Sequence, residues 1–510
     1  MYLQKKIILL ISLSFLLFTS CHTTKKIATP HTINFTILQI NDVYEIAPLE
    51  GGRVGGMARV TTVFKNLKKE QPNSIAILAG DFLSPSLLGR LKDNGKKIAG
   101  MQMVQALNAM GLDYATFGNH EFDLKTYELL HERMDASNFE FISNNAFHND
   151  KGRIIPFTQK GKNIAATKII TFSNEYGDVV RVGITGTVLP FNKKSYVSYE
   201  DPFVATKKAY EELKTKSDVL IGITHLAIRD DKKMAAQFPN FDLLLGGHDH
   251  TNMQFKIGNT IITKADANAK TVYIHRVSYN PITKTTIIKS ELLPITNQIK
   301  DDPKTLALVE KWTQKQNIIL REMGYDPEKM IMVATKPLIC TEAIIRSEQT
   351  NFGHITLEAF EAASPSADLY IMNSGSMRLD DNISGTVTQY DILRTFPYGG
   401  PIVKIELPGN ILNQVLTTGA TTNKGEGGYL QVNHVTGSPD HWKIRNQPIN
   451  PKKTYTVVLP KFLASGKEAN LEVLGNYLTK KMIPKTFNIK NRIVKNDIRD
   501  MVIDYMLYGL

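Results

Sequence analysis

Cysteine is scarce in this sequence: among 510 residues only Cys21 and Cys340 are cysteines. Cys21 directly follows an N-terminal targeting segment, so no disulfide within the folded chain is expected. Stability must therefore come from hydrophobic burial, which a chain of this length can supply. Cys340 has no neighbouring cysteine and no CxxC motif. We predict that Cys340 is a buried apolar residue rather than a nucleophile.

Long hydrophobic runs are also missing. The longest, Ile7 to Phe18, is too short to span a membrane comfortably. It follows Lys5 and Lys6 and ends in Thr19-Ser20-Cys21, which is typical of a lipoprotein signal peptide over residues 1–21. We expect Cys21 to carry lipid and to anchor the exported protein to a bacterial cell-envelope membrane, on the periplasmic or surface side. The alternative is ordinary cleavage near Ser20.

Motifs for binding nucleic acid or for cradling phosphates in a P-loop are absent. The formal charge is +12, but the lysines are spread along the chain without interleaved aromatic residues. A nucleic-acid polymer is therefore not an expected partner, whereas a basic surface attracts anionic substrates. The glycine-rich segment Gly51 to Arg59 is not followed by Gly-Lys-Ser/Thr, so it predicts a tight loop before a helix.

Short apolar runs alternate with helical stretches from residue 33 to about 290, which indicates an α/β domain. Residues 251–295 alternate at period two and predict antiparallel strands that finish this domain. Asp302 to Met323 predicts one long helix, since acidic residues and Pro303 mark its start. The predicted segments after the signal peptide are a tether (22–32), a first domain (33–298), a linker helix (299–329), a second domain (330–500) and a tail (501–510).

Five strand-like runs end in side chains that bind metals or transfer protons. They are Ile37–Asp42 (ILQIND), Ile75–Asp81 (IAILAGD), Tyr114–Asp123 (YATFGNHEFD), Val219–His225 (VLIGITH) and Asp242–His250 (DLLLGGHDH). Ligands of open α/β sheets gather at the carboxyl ends of strands. The candidate metal ligands at these ends are Asp42, Asp81, Asn119, His225, His248 and His250. Such a set suits a two-metal hydrolase that acts on phosphoesters.

Individual roles follow from the residue types. Asp81, next to Gly80, is the best candidate for a carboxylate that bridges two metals. His120 is placed to act on the leaving oxygen, and Asp123 to set its tautomer. Glu121 is predicted to be structural. An isolated histidine at a strand end is more often an ordinary structural residue, but four histidines in this order favour a site.

This order of motifs resembles the calcineurin-like metallophosphoesterases, and more closely the bacterial and animal 5′-nucleotidase family, which includes UDP-sugar hydrolase and ecto-5′-nucleotidase. The resemblance covers nearly all of the mature chain. It implies an α/β fold with an N-terminal metallophosphoesterase β-sandwich flanked by helices in four layers, a helical linker and a C-terminal α/β substrate-binding domain. It also implies two divalent ions (Zn, Mn, Co or Mg). By this match Asp42, Asp81 and His250 hold the first ion, Asp81, Asn119, His225 and His248 hold the second, and His120 with Asp123 forms the catalytic dyad.

The first motif departs from the family pattern. The family has Asn-Asp-x-His, whereas this chain has Asn41-Asp42-Val43-Tyr44. Tyr44 could bind as a phenolate, which would favour a trivalent ion, or leave its position to water. We favour water, because a phenolate at neutral pH needs a strongly lowered pKa.

The second domain carries the expected substrate residues. Asn373, Gly375 and Arg378 match the family's Asn-x-Gly-x-x-Arg, and Arg346 matches another substrate-binding arginine. Arginine binds phosphate oxygens bidentately, although an arginine alone is as often part of a surface ion pair. Tyr398 matches a residue that stacks on the nucleobase. The second stacking phenylalanine is expected after the segment 462–466, where 467–471 contains no aromatic residue, so the base site is predicted to be half-built.

These observations predict a lipid-anchored hydrolase of nucleotide phosphate esters. A hydroxide held between the metals would attack phosphorus in line, and a hinge near residues 320–332 would move the second domain. The alternatives are a UDP-sugar, dinucleotide or 2′,3′-cyclic nucleotide hydrolase that uses the same site, or a catalytically impaired nucleotide-binding surface lipoprotein. The sequence does not indicate an oligomeric state.

Overall fold

The computed structural model describes residues 32–191, 194–439, 441–478 and 483–509. The predicted signal peptide with Cys21, and the tether up to residue 31, lie outside the described residues. Within the described ranges no helix is long and apolar enough to cross a membrane. Cys340 is fully buried, as expected.

The first sheet of the N-terminal domain has six strands. In spatial order they are Thr285–Pro294, Thr271–Asn280, Ile33–Ile40, Ser74–Ala79, Tyr114–Thr116 and Glu140–Phe141. The last four run parallel to one another, and Ile33–Ile40 is antiparallel to Thr271–Asn280. The strands that precede Asp42, Asp81 and Asn119 therefore end at the same edge of this sheet.

The second sheet also has six strands. In spatial order they are Thr167–Ser173, Val179–Val188, Val219–His225, Leu243–Gly246, Thr260–Lys264 and Met253–Ile257. The four central strands are parallel, and both edge strands are antiparallel to their neighbours. Within 251–295 the strands pair antiparallel, as predicted: Met253–Ile257 with Thr260–Lys264 and Thr271–Asn280 with Thr285–Pro294. The second pairing of Thr260–Lys264, in parallel with Leu243–Gly246, was not predicted. Alternation at period two reports which residues are buried, and it cannot reveal the direction of a neighbouring strand.

The two sheets pack face to face. Ile37 and Ile77 of the first sheet share one buried core with Ile184, Ile221 and Leu245 of the second. Helices cover the outer faces, as the predicted four-layer sandwich requires. The helices are Met57–Glu70, Leu87–Arg90, Met101–Met110, Tyr127–Ala136, Pro202–Leu213 and Ile228–Gln237, with 3-10 turns at His120–Asp123 and Ala267–Ala269. Short strands lie at Lys92–Asp93, Lys96–Lys97, Ala146–Asp150, Arg153–Ile155, Thr158–Gln159, Lys162–Asn163 and Val197–Tyr199.

The linker helix runs from Pro303 to Glu322, close to its predicted bounds. The Asp302 carboxylate caps it by accepting the backbone N–H of Thr305 at 3.0 Å. The buried face of the helix packs on Met57–Glu70 and Met101–Met110. Most of the linker helix is therefore part of the N-terminal domain.

The C-terminal domain is built on a four-stranded sheet, with the spatial order Ile402–Pro408, Thr454–Pro460, Leu369–Asn373 and Leu430–Asn433. Strands Met330–Leu338 and Ile383–Thr388 form a separate pair. The helices are Glu342–Ile345, Asn351–Ala363, Gln389–Thr395, Gly409–Ala420, Lys461–Ala464 and Ile498–Tyr508, with 3-10 turns at Ser374–Ser376 and Glu472–Tyr477. Short strands lie at Val435–Thr436, Lys443–Ile444, Gln447–Pro448, Thr486–Ile489 and Arg492–Lys495.

The predicted tail at 501–510 is wrong. Helix Ile498–Tyr508 crosses that boundary and buries Met501, Val502 and Met506 against the C-terminal domain. The C-terminal residues are apolar because they contribute to this core.

Candidate metal centre and substrate cavity

The candidate metal ligands lie where the strand ends of the two sheets meet. Asp42, Asp81, His248 and His250 all have left-handed backbone conformations, with φ of 51°, 56°, 81° and 56°. A left-handed residue directly after a strand turns the chain sharply, and for a residue other than glycine it is strained. Four strained residues in one cluster are typical of a functional site, where packing must impose the conformation.

Two glycines permit the close approach of the loops. Gly80 has φ of 78°, and a Cβ there would lie 2.5 Å from the backbone nitrogen of Gly118. A Cβ on Gly118 would lie 2.1 Å from Oδ1 of Asp81. A side chain at Gly80 would displace the Gly118 backbone and His225, and one at Gly118 would displace Asp81.

The side chains of the cluster are within a few ångströms of one another. Nε2 of His225 lies 3.2 Å from Oδ2 of Asp81 and 3.2 Å from Oδ1 of Asn119. Nε2 of His250 lies 3.4 Å from Oδ1 of Asp42. The His248 ring lies 5.5 Å from the His225 ring, measured between centroids.

The donor set fits divalent metal ions, as the resemblance to the metallophosphoesterases implies. Asp42, Asp81 and His250 each offer a ligand atom, and the three atoms lie within 4.8 Å of one another. Oδ1 of Asp42 is buried and has no hydrogen-bond partner among the described residues. A buried carboxylate oxygen without a partner is costly unless a cation satisfies it.

The electrostatics of the cluster favour charge on some groups and oppose it on others. Burial tends to lower the pKa of His225, but the carboxylates of Asp81 and Asp42 outweigh it and raise that pKa to about 9. Burial, reinforced by the charge of His225, lowers the pKa of His248 to about 3. The protein's own groups therefore favour charge on His225 and oppose it on His248.

Tyr44 lies inside the cluster. Its hydroxyl is 3.1 Å from Oδ2 of Asp81 and 3.0 Å from Nε2 of His250. Burial, together with the charges of Asp81 and Asp42, raises the pKa of the Tyr44 phenol well above its usual value. Among the protein's own groups the neutral phenol is therefore favoured over the phenolate, and the choice between phenolate ligand and water at this position stays a prediction.

His120 and Asp123 form a close pair at the side of the cluster. Nδ1 of His120 is 2.8 Å from Oδ2 of Asp123, and the His120 backbone N–H donates to Oδ1 of Asp81 at 2.7 Å. Nη2 of Arg378, from the C-terminal domain, donates to Nε2 of His120 at 2.9 Å. Because Nε2 accepts, the proton of the neutral ring lies on Nδ1 and faces Asp123.

Glu121 is structural, as expected. Its carboxylate accepts the backbone N–H groups of Asp81, Phe82, Leu83 and Gly118 at 2.6–3.1 Å. These bonds fix the loop that presents Asp81.

A cavity of about 740 Å³ lies between the two domains, beside the cluster. All five predicted substrate residues line it: Arg346, Asn373, Gly375, Arg378 and Tyr398. Of the predicted metal and dyad residues, Asp81, Asn119, His120, Asp123, His248 and His250 line it, while Asp42 and His225 are fully buried beside them. The structure thus brings every predicted site residue to one place.

Phe462 and Glu468 are two of the cavity-wall residues that sequence reasoning missed. Phe462, on the short helix Lys461–Ala464, is 49% exposed and lines the cavity together with Tyr398. Phe462 was not among the predicted base-site residues, and the half-built base site stays a prediction. Glu468 also lines the cavity and accepts from Nδ2 of Asn373 at 2.7 Å.

Two carboxylates of the C-terminal domain were also missed. Asp380 and Glu342 approach His250, with Oδ1 of Asp380 at 3.1 Å and Oε2 of Glu342 at 3.2 Å from Nδ1. No local sequence pattern links Asp380 to a histidine 130 positions away.

Comparison with known proteins agrees with this architecture. Residues 35–252 match the calcineurin-like phosphoesterase family model, and residues 331–475 match the model of the 5′-nucleotidase C-terminal domain. A 5′-nucleotidase of Bos taurus is 24% identical over 470 residues, which cover 81% of this chain and 78% of that protein.

Solved structures share the whole two-domain fold. A 5′-nucleotidase precursor from Thermus thermophilus aligns with a TM-score of 0.76 at 20% identity, covering 93% of this chain and 96% of that one. The sulfate thiohydrolase SoxB of the same organism aligns with a TM-score of 0.69 at 15% identity, covering 93% and 94%. Proteins named for different substrates therefore share this fold. Since the two matched families span both domains, the chain belongs to the calcineurin-like phosphoesterases that carry a 5′-nucleotidase C-terminal domain, and it is a metal-dependent phosphoester hydrolase.

Proposed function

We propose that this protein hydrolyses phosphate esters of nucleotides in the manner of a 5′-nucleotidase, with two divalent ions. The observation that carries the proposal is the composition of the interdomain cavity. One end has the metal-ligand cluster with His120, and the wall also presents two arginines and three exposed aromatic rings, those of Phe191, Tyr398 and Phe462. A phosphate group and a nucleobase are the two ends of a nucleotide, and these side chains suit them in turn.

The chain's own residues orient the ester and supply the proton. Two bound ions would activate a water molecule and neutralise charge on the phosphoryl oxygens. Arg378 and Arg346 bind the phosphate, and Asn119 contributes an amide to its oxygens. A phosphate that draws Arg378 away from Nε2 of His120 frees this nitrogen to carry a proton to the departing nucleoside oxygen, with Asp123 supporting the charged ring.

The base would stack between Tyr398 and Phe462. The guanidinium of Arg90, from the N-terminal domain, lies 4.6 Å from the centre of the Tyr398 ring. Tyr398 is held there by this cation–π contact, which leaves its other face for a base. Glu468, beside Asn373, is placed to accept hydrogen bonds from sugar hydroxyls.

The test is phosphate release from AMP by the purified protein, after chelation and after addition of Mn²⁺, Zn²⁺ or Co²⁺. We expect release that stops with chelation and returns with metal. A protein that binds AMP but releases no phosphate with any of these ions would instead support the impaired nucleotide-binding alternative.

The sister activities use the same site and need a substrate panel. UDP-sugars, dinucleotides and 2′,3′-cyclic nucleotides should be compared with AMP by kcat/KM at one metal concentration. A preference of tenfold or more for one of them, about 1.4 kcal/mol, would replace the 5′-nucleotidase assignment.

We further propose that the protein is exported and anchored by lipid on Cys21, which rests on the signal-like segment 1–21 alone. Replacing Cys21 with Ser should move the protein from the membrane fraction to the soluble fraction without loss of turnover. Unchanged fractionation would contradict the anchor.

A further inference from the structure

The imidazole of His250 is held from both sides of the domain interface. Its Nε2 faces the metal-ligand cluster, 3.4 Å from Oδ1 of Asp42. Its Nδ1 faces the C-terminal domain, 3.1 Å from Asp380 and 3.2 Å from Glu342. All these groups are largely buried, with side-chain exposures of 11% for His250 and Glu342 and 7% for Asp380.

This arrangement suits His250 to bind a metal ion. An ionised carboxylate only accepts hydrogen bonds, so Nδ1 carries the proton that faces Asp380 or Glu342. With a metal ion held by Asp42 and Asp81, Nε2 would be the nitrogen left to ligate it.

His225, the corresponding ligand on the other side of the cluster, is held differently. Its Nδ1 lies 2.8 Å from the backbone oxygen of Ala79, within the first sheet of the N-terminal domain. The orientation of His225 therefore needs no contact with the C-terminal domain, whereas that of His250 does.

Both carboxylates are fixed by contacts of their own. The ammonium of Lys270, in the N-terminal domain, donates to the backbone oxygen of Asp380, and Nδ2 of Asn268 approaches Oδ2 of Asp380 at 3.4 Å. Glu342 forms an ion pair with Arg346, which lines the substrate cavity. Of the two carboxylates that contact His250, Asp380 is thus bound to the N-terminal domain and Glu342 to a predicted substrate-binding arginine.

We propose that Asp380 and Glu342 are positioning residues that complete one of the two metal sites from across the domain interface. The inference rests on the proposed two-metal function and deepens it. The site that uses His250 reaches full affinity only when the C-terminal domain is docked, while the site that uses His225 is formed by the N-terminal domain alone. By reciprocity, metal at the His250 site favours the docked arrangement of the domains.

The test is direct metal binding, without turnover. The metal-free full-length protein is titrated with Mn²⁺ or Co²⁺ by calorimetry, and the bound metal is counted after equilibrium dialysis. Replacing both Asp380 and Glu342 with Ala should weaken one site by roughly 10–100-fold and leave the other within about threefold. Asp380→Asn alone should stay close to the unsubstituted protein, because the amide oxygen still accepts from Nδ1.

The matched control removes an Asp and a Glu of the same domain that contact other partners: Asp368→Ala with Glu361→Ala. Asp368 accepts from Thr456, and Glu361 from His434, away from the cluster. Melting curves in chelator show whether either double variant is folded. Lys270→Met, which keeps both carboxylates but releases the Asp380 backbone, should weaken the same single site and is a second route if the double variant unfolds.

Two sites in the unsubstituted protein, both unchanged in the double variant and in Lys270→Met, would overturn this inference and leave the two-metal proposal intact. Equal weakening of both sites would also overturn it. Fewer than two sites in the unsubstituted protein would contradict the two-metal proposal itself, and the inference with it.

Discussion

His120 has two polar neighbours: one accepts a hydrogen bond from its ring and the other donates a hydrogen bond to it. Asp123 accepts the Nδ1 proton at 2.8 Å, while Arg378 donates to Nε2 at 2.9 Å. In the proposed mechanism Nε2 donates to the leaving oxygen only after Arg378 has moved to the phosphate. That mechanism couples the proton donor to phosphate binding, because the same guanidinium serves both contacts.

The first prediction concerns His120. His120→Ala should reduce kcat by roughly 10²–10⁴-fold, the usual contribution of a general acid, without losing bound metal. Rates with AMP and metal counts by elemental analysis check both parts. An equal loss of metal and of turnover would mean that His120 acts as a ligand instead.

The second prediction concerns the aromatic pair. Phe462→Ala and Tyr398→Ala should each raise KM for AMP by the equivalent of about 1–3 kcal/mol, since each loses one stacking face. Hydrolysis of p-nitrophenyl phosphate, which has no base, is the internal control and should change much less. Equal changes for both substrates would assign the rings a structural role.

At the scale of single elements, strand Thr271–Asn280 carries a buried histidine that the metal cluster does not use. His275 lies between Gln39, at 3.1 Å from Nε2, and Ser290, at 2.9 Å from Nδ1. Burial lowers the pKa of His275 to about 3. The folded state therefore keeps this ring neutral at pH values where the unfolded chain protonates it.

The third prediction follows from this difference. Between about pH 6.5 and pH 3 the unfolded state binds the extra proton, so stability falls as the pH falls. At about pH 4.5 this group alone lowers the free energy of unfolding by about 2–3 kcal/mol relative to about pH 7. The free energy of unfolding is measured with urea, in chelator, at several pH values. Its slope against pH should be smaller for His275→Gln than for the unsubstituted protein. His354→Gln, at an exposed position, should keep the original slope.

At the scale of the whole molecule, a small number of contacts join the two domains at the cavity. They include Arg378 with His120, Asp380 and Glu342 with His250, and Arg90 with Tyr398. Most of the linker helix packs on the N-terminal domain, so a hinge between the domains is expected near the end of this helix.

The fourth prediction is a motion about that hinge near residues 320–332. Solution scattering of the full-length protein should change between the free state and a complex with a non-hydrolysable nucleotide analogue. Identical profiles, with binding confirmed by calorimetry, would contradict a domain movement linked to the substrate.

Much of the site can be predicted from the sequence. Asp42, Asp81, Asn119, His225 and His250 each follow a recognisable apolar run, and parallel strands bring their carboxyl ends together. Local patterns also mark the linker helix, because Asp302 and Pro303 are strong start residues. Such features depend on a few neighbouring residues, so they can be predicted without knowledge of the fold.

Other features depend on packing between distant segments. The parallel pairing of Thr260–Lys264 with Leu243–Gly246 and the place of Phe462 on the cavity wall were missed, and the predicted tail at 501–510 was wrong, because packing between distant segments and not local pattern decides these features. The pairing of His250 with Asp380 spans 130 residues and two domains. Local sequence is therefore enough to tell which metal-binding residues end which strands. The carboxylates that complete the His250 side of the cluster follow only from the folded chain, since that contact exists only where the two domains meet.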